Sequence, residues 1–302
     1  MSEGRVRTWL VTGASRGLGR AVVEAVLQAG ERAIATSRSP GSLDDLRDAH
    51  GDRLVPLALD VADRSAVLAG FASAAELTGG VDVLVNNAGY GLAGGVEEVG
   101  ERLARDQMDV NFFGALWAVQ GVLPVMRRQG RGHVVQISSI AGVATYPNLG
   151  LYCASKWALE GLSETLAQEV AGHGIRVTIV QLGELRTAWS ADSMVRADPM
   201  PAYDEVLATR RHGLSGAFAD RQPGDPRRAA QVLLDVVDTD DPPLRLLLGA
   251  GAAALAPRVY RDRLEEWRRW SDLAPLVDHT DEGAGEGAGV RAPGAVRRGY
   301  PG

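Results

Sequence analysis

Residues 7–30 read RTWLVTGASRGLGRAVVEAVLQAG. The first six are a short apolar run that ends in Gly13-Ala-Ser-Arg-Gly17-Leu-Gly19. A helical pattern follows through Val22, Val23, Val26 and Leu27 to Gly30, a common helix stop. Strand, glycine-rich turn, helix is the setting that a phosphate-cradling loop requires. Glycines let the backbone approach a pyrophosphate, and the helix start offers free N–H groups. The spacing is G-x-x-x-G-x-G rather than the more familiar G-x-G-x-x-G. Three glycines alone also suit a plain tight turn; the flanking strand and helix favour the binding loop.

Working outward, the same alternation continues. Apolar runs at residues 32–37, 54–59, 81–85, 134–137, 175–181 and 244–248 predict further strands. Helical patterns lie between them, with long ones over 101–128 and 151–172 and a shorter one over 226–237. This order with helical crossovers predicts an α/β fold: a mainly parallel sheet with helices on both faces. One domain over residues 1–279 is expected, with its core at 6–250 and a C-terminal helix near 257–271. Residues 280–302 are rich in Gly and Pro and are predicted to stay disordered.

The strand ends carry polar residues suited to a ligand. Ser37-Arg38 closes the second strand where many dinucleotide folds place an acid for the ribose 2′-hydroxyl; an arginine there suits a 2′-phosphate instead. Arg16 in the glycine loop is a second candidate, although both also fit an exposed surface in an Arg-rich chain. Asp60-Val61 ends the third strand, with Asp60 placed either to reach an adenine amino group or to cap the next helix. Asn86-Asn87-Ala88-Gly89 ends the fourth. Asn111 interrupts the apolar pattern of the long helix; it is either a satisfied buried amide or a kink that holds a water.

The stretch 139–156, SIAGVATYPNLGLYCASK, holds the reactive groups. Tyr152 and Lys156 are four apart, on one face of a helix. An ammonium near a phenol favours its ionised form and makes Tyr152 a usable acid and base nearer neutrality. Ser139, at the end of the fifth strand, is placed to bring a second hydroxyl to the same oxygen. Of 32 basic residues Lys156 is the only lysine, and an arginine does not replace a compact ammonium in a tight pocket.

Composition narrows the partners. A net charge of −6, with no block of like charge, argues against nucleic acid and membrane surfaces. No run of eighteen apolar residues occurs, so no membrane span is expected. The single cysteine, Cys153, fits a reducing compartment, and the N-terminus has no apolar signal core; a cytoplasmic location is expected. Residues 184–224 lose periodicity while keeping Trp189, Met194 and Tyr203, which reads as a lid over a substrate or as a loop packed onto the surface.

Thr12-Gly13-x-x-x-Gly17-x-Gly19, Asn86-Asn87-Ala88-Gly89, Asn111, Ser139 and Tyr152-x-x-x-Lys156 occur together and in order. This set resembles the short-chain dehydrogenase/reductase family over roughly residues 6–250. The resemblance implies a doubly wound Rossmann sheet of seven strands and a catalytic tetrad of Asn111, Ser139, Tyr152 and Lys156. It implies dinucleotide contacts from Gly13, Ser15, Arg16, Gly17, Leu18, Gly19, Arg38, Asp60, Val61, Asn87, Ala88, Gly89, Tyr152, Lys156, Gly183 and Thr187. It implies NADP(H) as the preferred cofactor, with NAD(H) possible, and a homodimer or homotetramer. Ser139, Trp189, Met194 and Tyr203 are the expected substrate contacts. One departure is Leu182, where the family commonly has proline; a loop with more freedom is expected there.

The expected activity is reduction of an apolar ketone or aldehyde by NADPH, reversible with the alcohol. An NAD(P)+-dependent alcohol dehydrogenase, a dinucleotide-binding regulator without turnover and a non-redox isomerase or dehydratase are the alternatives.

Overall fold

The computed structural model describes residues 5–186, 193–213 and 222–278. The chain opens with β1 (Thr8–Val11), α1 (Gly17–Gln28) and β2 (Arg32–Ser37), then α2 (Asp44–His50), β3 (Leu54–Ala58) and α3 (Arg64–Thr78). Next come β4 (Val83–Asn86), β5 (Gly91–Ala93), α4 (Glu101–Met108), α5 (Gly114–Gln129) and β6 (Gly132–Ile137). Then follow α6 (Gly150–Val170), β7 (Ile175–Leu182), β8 (Met194–Arg196), α7 (Asp204–Gly213), α8 (Pro226–Val237), β9 (Arg245–Leu248) and α9 (Ala250–Arg269).

Seven strands form one parallel sheet in the order β3-β2-β1-β4-β6-β7-β9. The chain winds outward from β1 to β3, then returns to start again at β4 on the other side of β1. The winding reverses between β1 and β4, and the crevice beyond their C-terminal ends is where such sheets take ligands. This is the doubly wound α/β arrangement expected from the alternation.

Successive side chains of a strand face opposite ways, so every strand feeds two layers. Trp9, Val11, Val83 and Val85 join Val22 and Val26 of α1 and Leu233 of α8 on one face. Leu10, Leu84 and Val134 join Phe71 of α3, Val122 and Met126 of α5 and Leu166 of α6 on the other. By length and composition the helical stretch Glu101–Gln129 is apolar enough to cross a membrane. Here it is a crossover whose inner face packs against the sheet.

The long helix expected over 101–128 is broken by a π turn at Asp109–Phe113, with Asn111 inside it. The Asp60 cap is corrected as well: α3 is capped by Asp63, which accepts from Ala66 N, while Asp60 accepts from Ala62 N at 3.0 Å in the turn before it. Leu182 does not loosen its loop. It continues β7 in register with Leu248, and Gly183 N–H donates to Leu248 O at 2.7 Å. A small second sheet pairs β5 with β8, tying residues 194–196 to the segment after β4.

Two compact units are distinguished. Met1–Val259 holds the sheet and its helices. Tyr260–Gly302 holds the last turns of α9 and a 3-10 stretch, Ser271–Val277, in which Leu276 and Val277 are exposed. The expected tail at 280–302 lies outside the described residues.

His133 on β6 is buried, with Nε2 2.9 Å from Thr178 Oγ1. Burial pushes its pKa from 6.5 down to about 4, with Arg176 adding to the shift. Between those values the unfolded chain binds a proton that the folded chain does not. Stability therefore falls as pH drops from about 6.5 towards 4, by about 3 kcal/mol for this group. Urea unfolding across that range is expected to show the slope in the wild type and to lose most of it in His133→Gln; equal slopes would contradict the assignment.

Candidate active site

The site is built where β1 and β4 meet. Thr12 Oγ1 accepts the N–H groups of Asn87 and Ala88 at 2.9 and 3.0 Å. In return the Asn87 amide donates to Thr12 O at 2.9 Å and Gly13 O at 3.1 Å. Gly13 has φ +66, and a Cβ there would stand 2.8 Å from Ala88 Cα, so both conformation and space require glycine. Gly19 is closed off by Asn87 Nδ2 and by Gly13 O at 2.5 Å.

Beyond this junction lies a cleft of about 440 Å³. Gly13, Ser15, Arg16, Gly17 and Leu18 line it from the first loop, and Arg38, Asp60 and Val61 from the ends of β2 and β3. Asn87, Ala88 and Gly89 follow from β4, Ser139 from β6, Tyr152 and Lys156 from α6 and Gly183 from β7. Every described residue expected at the dinucleotide therefore faces one cavity, except Gly19, which sits behind it. Thr187 lies outside the described residues. The cradle fits a dinucleotide: α1 begins at Gly17 without a side-chain cap, so its first N–H groups remain available to a phosphate.

Tyr152 and Lys156 are 7% and 6% exposed. Lys156 Nζ donates to Ile137 O at 2.8 Å and lies 5.9 Å from the Tyr152 ring centre. Burial raises the phenol pKa to about 12, opposed by a hydrogen bond with Ser139. The expected lowering by the Lys156 ammonium is not seen: burial sets the direction, and Ser139 is the group that opposes it. Burial likewise brings the Lys156 ammonium down to about 8, with Glu160 opposing. At neutral pH Tyr152 carries its proton, which makes it an acid ready to donate.

Asn111 is fully buried. Its Oδ1 accepts from Tyr90 N at 3.0 Å, and its Nδ2 donates to Tyr90 O at 3.0 Å and Ser155 Oγ at 3.2 Å. Its side chain does not line the cleft; it braces the loop that carries Gly89 against α6. The backbone thus leaves the α-helical path at Asn111, and its buried amide is satisfied by Tyr90 and Ser155.

The substrate contacts differ more. Met194 is buried under Tyr152 with Ala93, Ala141, Leu149 and Cys153. Tyr203 donates to Glu97 at 2.5 Å and does not line the cleft. Trp189 lies outside the described residues. Next to Ser139 and Tyr152 in the chain, Ile140, Ala141, Tyr146 and Leu149 line the cleft; Leu185, Glu184, Ser193 and Gln222 line it as well. Sequence reasoning also missed Glu98, whose carboxylate accepts from Gly95 N at 2.7 Å and Met200 N at 2.9 Å and pairs with Arg211. These bonds, the Met200 N–H foremost, hold its pKa below the usual range. In the sequence its only signal is the pair of carboxylates, Glu97 and Glu98, after Gly94-Gly95.

Comparison with known proteins agrees with this geometry. The family model for short chain dehydrogenases matches residues 7–196. An oxidoreductase, BOA17, of Botryotinia fuckeliana is 38% identical over 276 residues, covering 88% of this chain and 98% of the relative. A 3-ketodihydrosphingosine reductase of Bacteroides thetaiotaomicron is 32% identical, covering 80% and 87%. The crystal structure of a short-chain dehydrogenase from Streptomyces avermitilis superposes with a TM-score of 0.85 at 39% identity, covering 91% of this chain and all of the other. A short chain dehydrogenase from Burkholderia cenocepacia, solved in complex with NADP, gives 0.69 at 26% identity, covering 88% and 97%. The chain belongs to the short-chain dehydrogenase family. It is an NAD(P)-dependent oxidoreductase acting between CH–OH and C=O groups of a small molecule.

Gly19→Ala places a methyl group against Asn87 and Gly13 O. Dinucleotide affinity, read by fluorescence titration, is expected to fall about ten-fold or more as those bonds give way. An unchanged affinity would show that the Asn87 junction does not shape the cradle.

Proposed function

We propose that the protein is an NADPH-dependent carbonyl reductase for a medium-sized or large apolar ketone or aldehyde. The observation that carries this is the protonated, buried Tyr152 beside Ser139, at the end of a cleft whose wall there is apolar. The dinucleotide, when bound, supplies the hydride. Ser139 holds the carbonyl oxygen by a hydrogen bond, and Tyr152 passes its proton to that oxygen as the carbon is reduced. Lys156 presents positive charge beneath the phenol and stabilises the negative charge that builds on Tyr152. The surrounding apolar wall keeps water from the reacting carbon.

NADPH rather than NADH is supported by three features. Arg16 and Arg38 both line the far end of the cleft, no carboxylate closes β2, and the Burkholderia relative is solved with NADP. A ketone on an apolar chain is supported by the cleft wall and by the name of the Bacteroides relative. In reduction Tyr152 gives up its proton, and in the reverse oxidation the deprotonated phenol takes one from the alcohol.

The test is NADPH oxidation against carbonyls from small aldehydes to polycyclic ketones, with NADH as control. Turnover is expected to favour the larger apolar ketones and to drop about 10²- to 10⁴-fold in Tyr152→Phe. Arg38→Asp is expected to lose most of the preference for NADPH. Turnover indifferent to Tyr152→Phe would overturn the mechanism, and equal rates with NADH would overturn the cofactor assignment.

A further inference from the structure

α6 carries Tyr152, Lys156 and Glu160 at intervals of four, on one face. Glu160 is 7% exposed, and a carboxylate so placed is costly unless paired. Its partners come from three strands. From β7, Gln181 Nε2 donates to Glu160 Oε2 at 3.0 Å. From β9, Arg245 Nε stands 3.7 Å from the same oxygen, while Arg245 Nη2 pairs with Glu164 at 2.7 Å. Burial raises the Glu160 carboxyl above its usual range, and Ser138 after β6, Gln181 and Arg245 oppose that rise. The fit is close: a Cβ on Gly142 would stand 2.9 Å from both Glu160 Cγ and Ser138 Oγ. Glu160 thus packs against the turn that starts at Ser139, yet it does not line the cleft.

A buried ion pair held only for stability is often replaced by apolar residues without loss. This carboxylate sits one helical turn from the lysine that the site needs as a cation. We propose that Glu160 is a positioning residue for Lys156: its carboxylate, one helical turn away on the same buried face, keeps that side chain an ammonium while Ile137 O holds it at the cleft. The inference rests on Lys156 acting as the cationic member of the site.

Among the described residues, the groups seen at Lys156 from other elements are a carbonyl and an amide. Ile137 O comes from β6, and Asn111 and Lys156 converge on Gly89, where an added Cβ would stand 3.1 Å from Asn111 Oδ1 and 3.8 Å from Lys156 Nζ. On its own helix, burial keeps the Tyr152 phenol protonated at neutral pH. Burial drives Lys156 down to about 8, and Glu160 is the charge that opposes it. Arg245, shared with Glu164, counters the rise that burial imposes on Glu160 itself. Without the carboxylate, Lys156 loses its proton at a lower pH, and the site loses its cation near neutrality.

Because Lys156 is the only lysine, protein made with lysine carrying ¹³C at Cε gives one resonance that reports its charge without any assay of turnover. In Glu160→Gln the titration midpoint is expected to fall by about one pH unit or more, and the alkaline limb of kcat/KM with it. An unmoved midpoint in folded Glu160→Gln would overturn the proposal, even if turnover suffers. If that variant does not fold, Glu160→Asp, which keeps the charge, is expected to titrate within about half a unit of wild type; a larger fall would overturn it. Lack of turnover in the wild type would count against the reductase reading and leave the titration unaffected.

Discussion

The junction of Thr12 with Asn87 and Ala88 is the interaction on which the site depends. Four hydrogen bonds tie the loop after β1 to the loop after β4. They join two parts of the chain that the sheet order alone would leave parted at the switch point. With that junction closed, the glycine loop is held open for a dinucleotide and Gly89 is fixed beside Asn111. Asn111 then passes the constraint to α6 through Ser155, so the cofactor cradle and the proton donor share one rigid frame.

Within that frame the electrostatics are set by dryness. Burial lifts the Tyr152 phenol and depresses the Lys156 ammonium, so both drift toward their neutral forms. Ser139 counters the first shift and Glu160 the second. The result suits a proton donor: a phenol that keeps its proton until an oxygen beside it gains charge, with a cation below to stabilise the phenolate that is left.

The fold was legible because its signals are local. β2 and α8 begin and end where residues 32–37 and 226–237 placed them, the latter marked by Asp225 as cap and Pro226 in the first turn. The cleft residues were legible because they fall at strand ends, where topology gathers them. What was hidden depends on distant partners. The three-residue strands β5 and β8 pair across a hundred positions of chain and carry no period of their own. The π turn leaves the apolar pattern of the long helix intact, so Asn111 announced a kink but not its form. Met194 and Tyr203 are apolar or aromatic in the lid, yet one packs beneath Tyr152 and the other turns to Glu97. Which way a lid residue faces is decided by β8 and by Glu98, and neither is visible in the lid itself. Glu160 shows only its spacing from Lys156 in the sequence; its meaning comes from Gln181 and Arg245.

The central claim is that this frame moves a hydride between nicotinamide and a carbonyl carbon, with the proton supplied by the chain. The most direct measurement is a reaction with NADPH deuterated at nicotinamide C4, its two faces labelled in separate samples, followed by mass spectrometry of the alcohol. The account expects deuterium on the carbinol carbon from one labelled face and none from the other. Reduced product without deuterium from either face would contradict direct transfer, and with it the role assigned to the cleft.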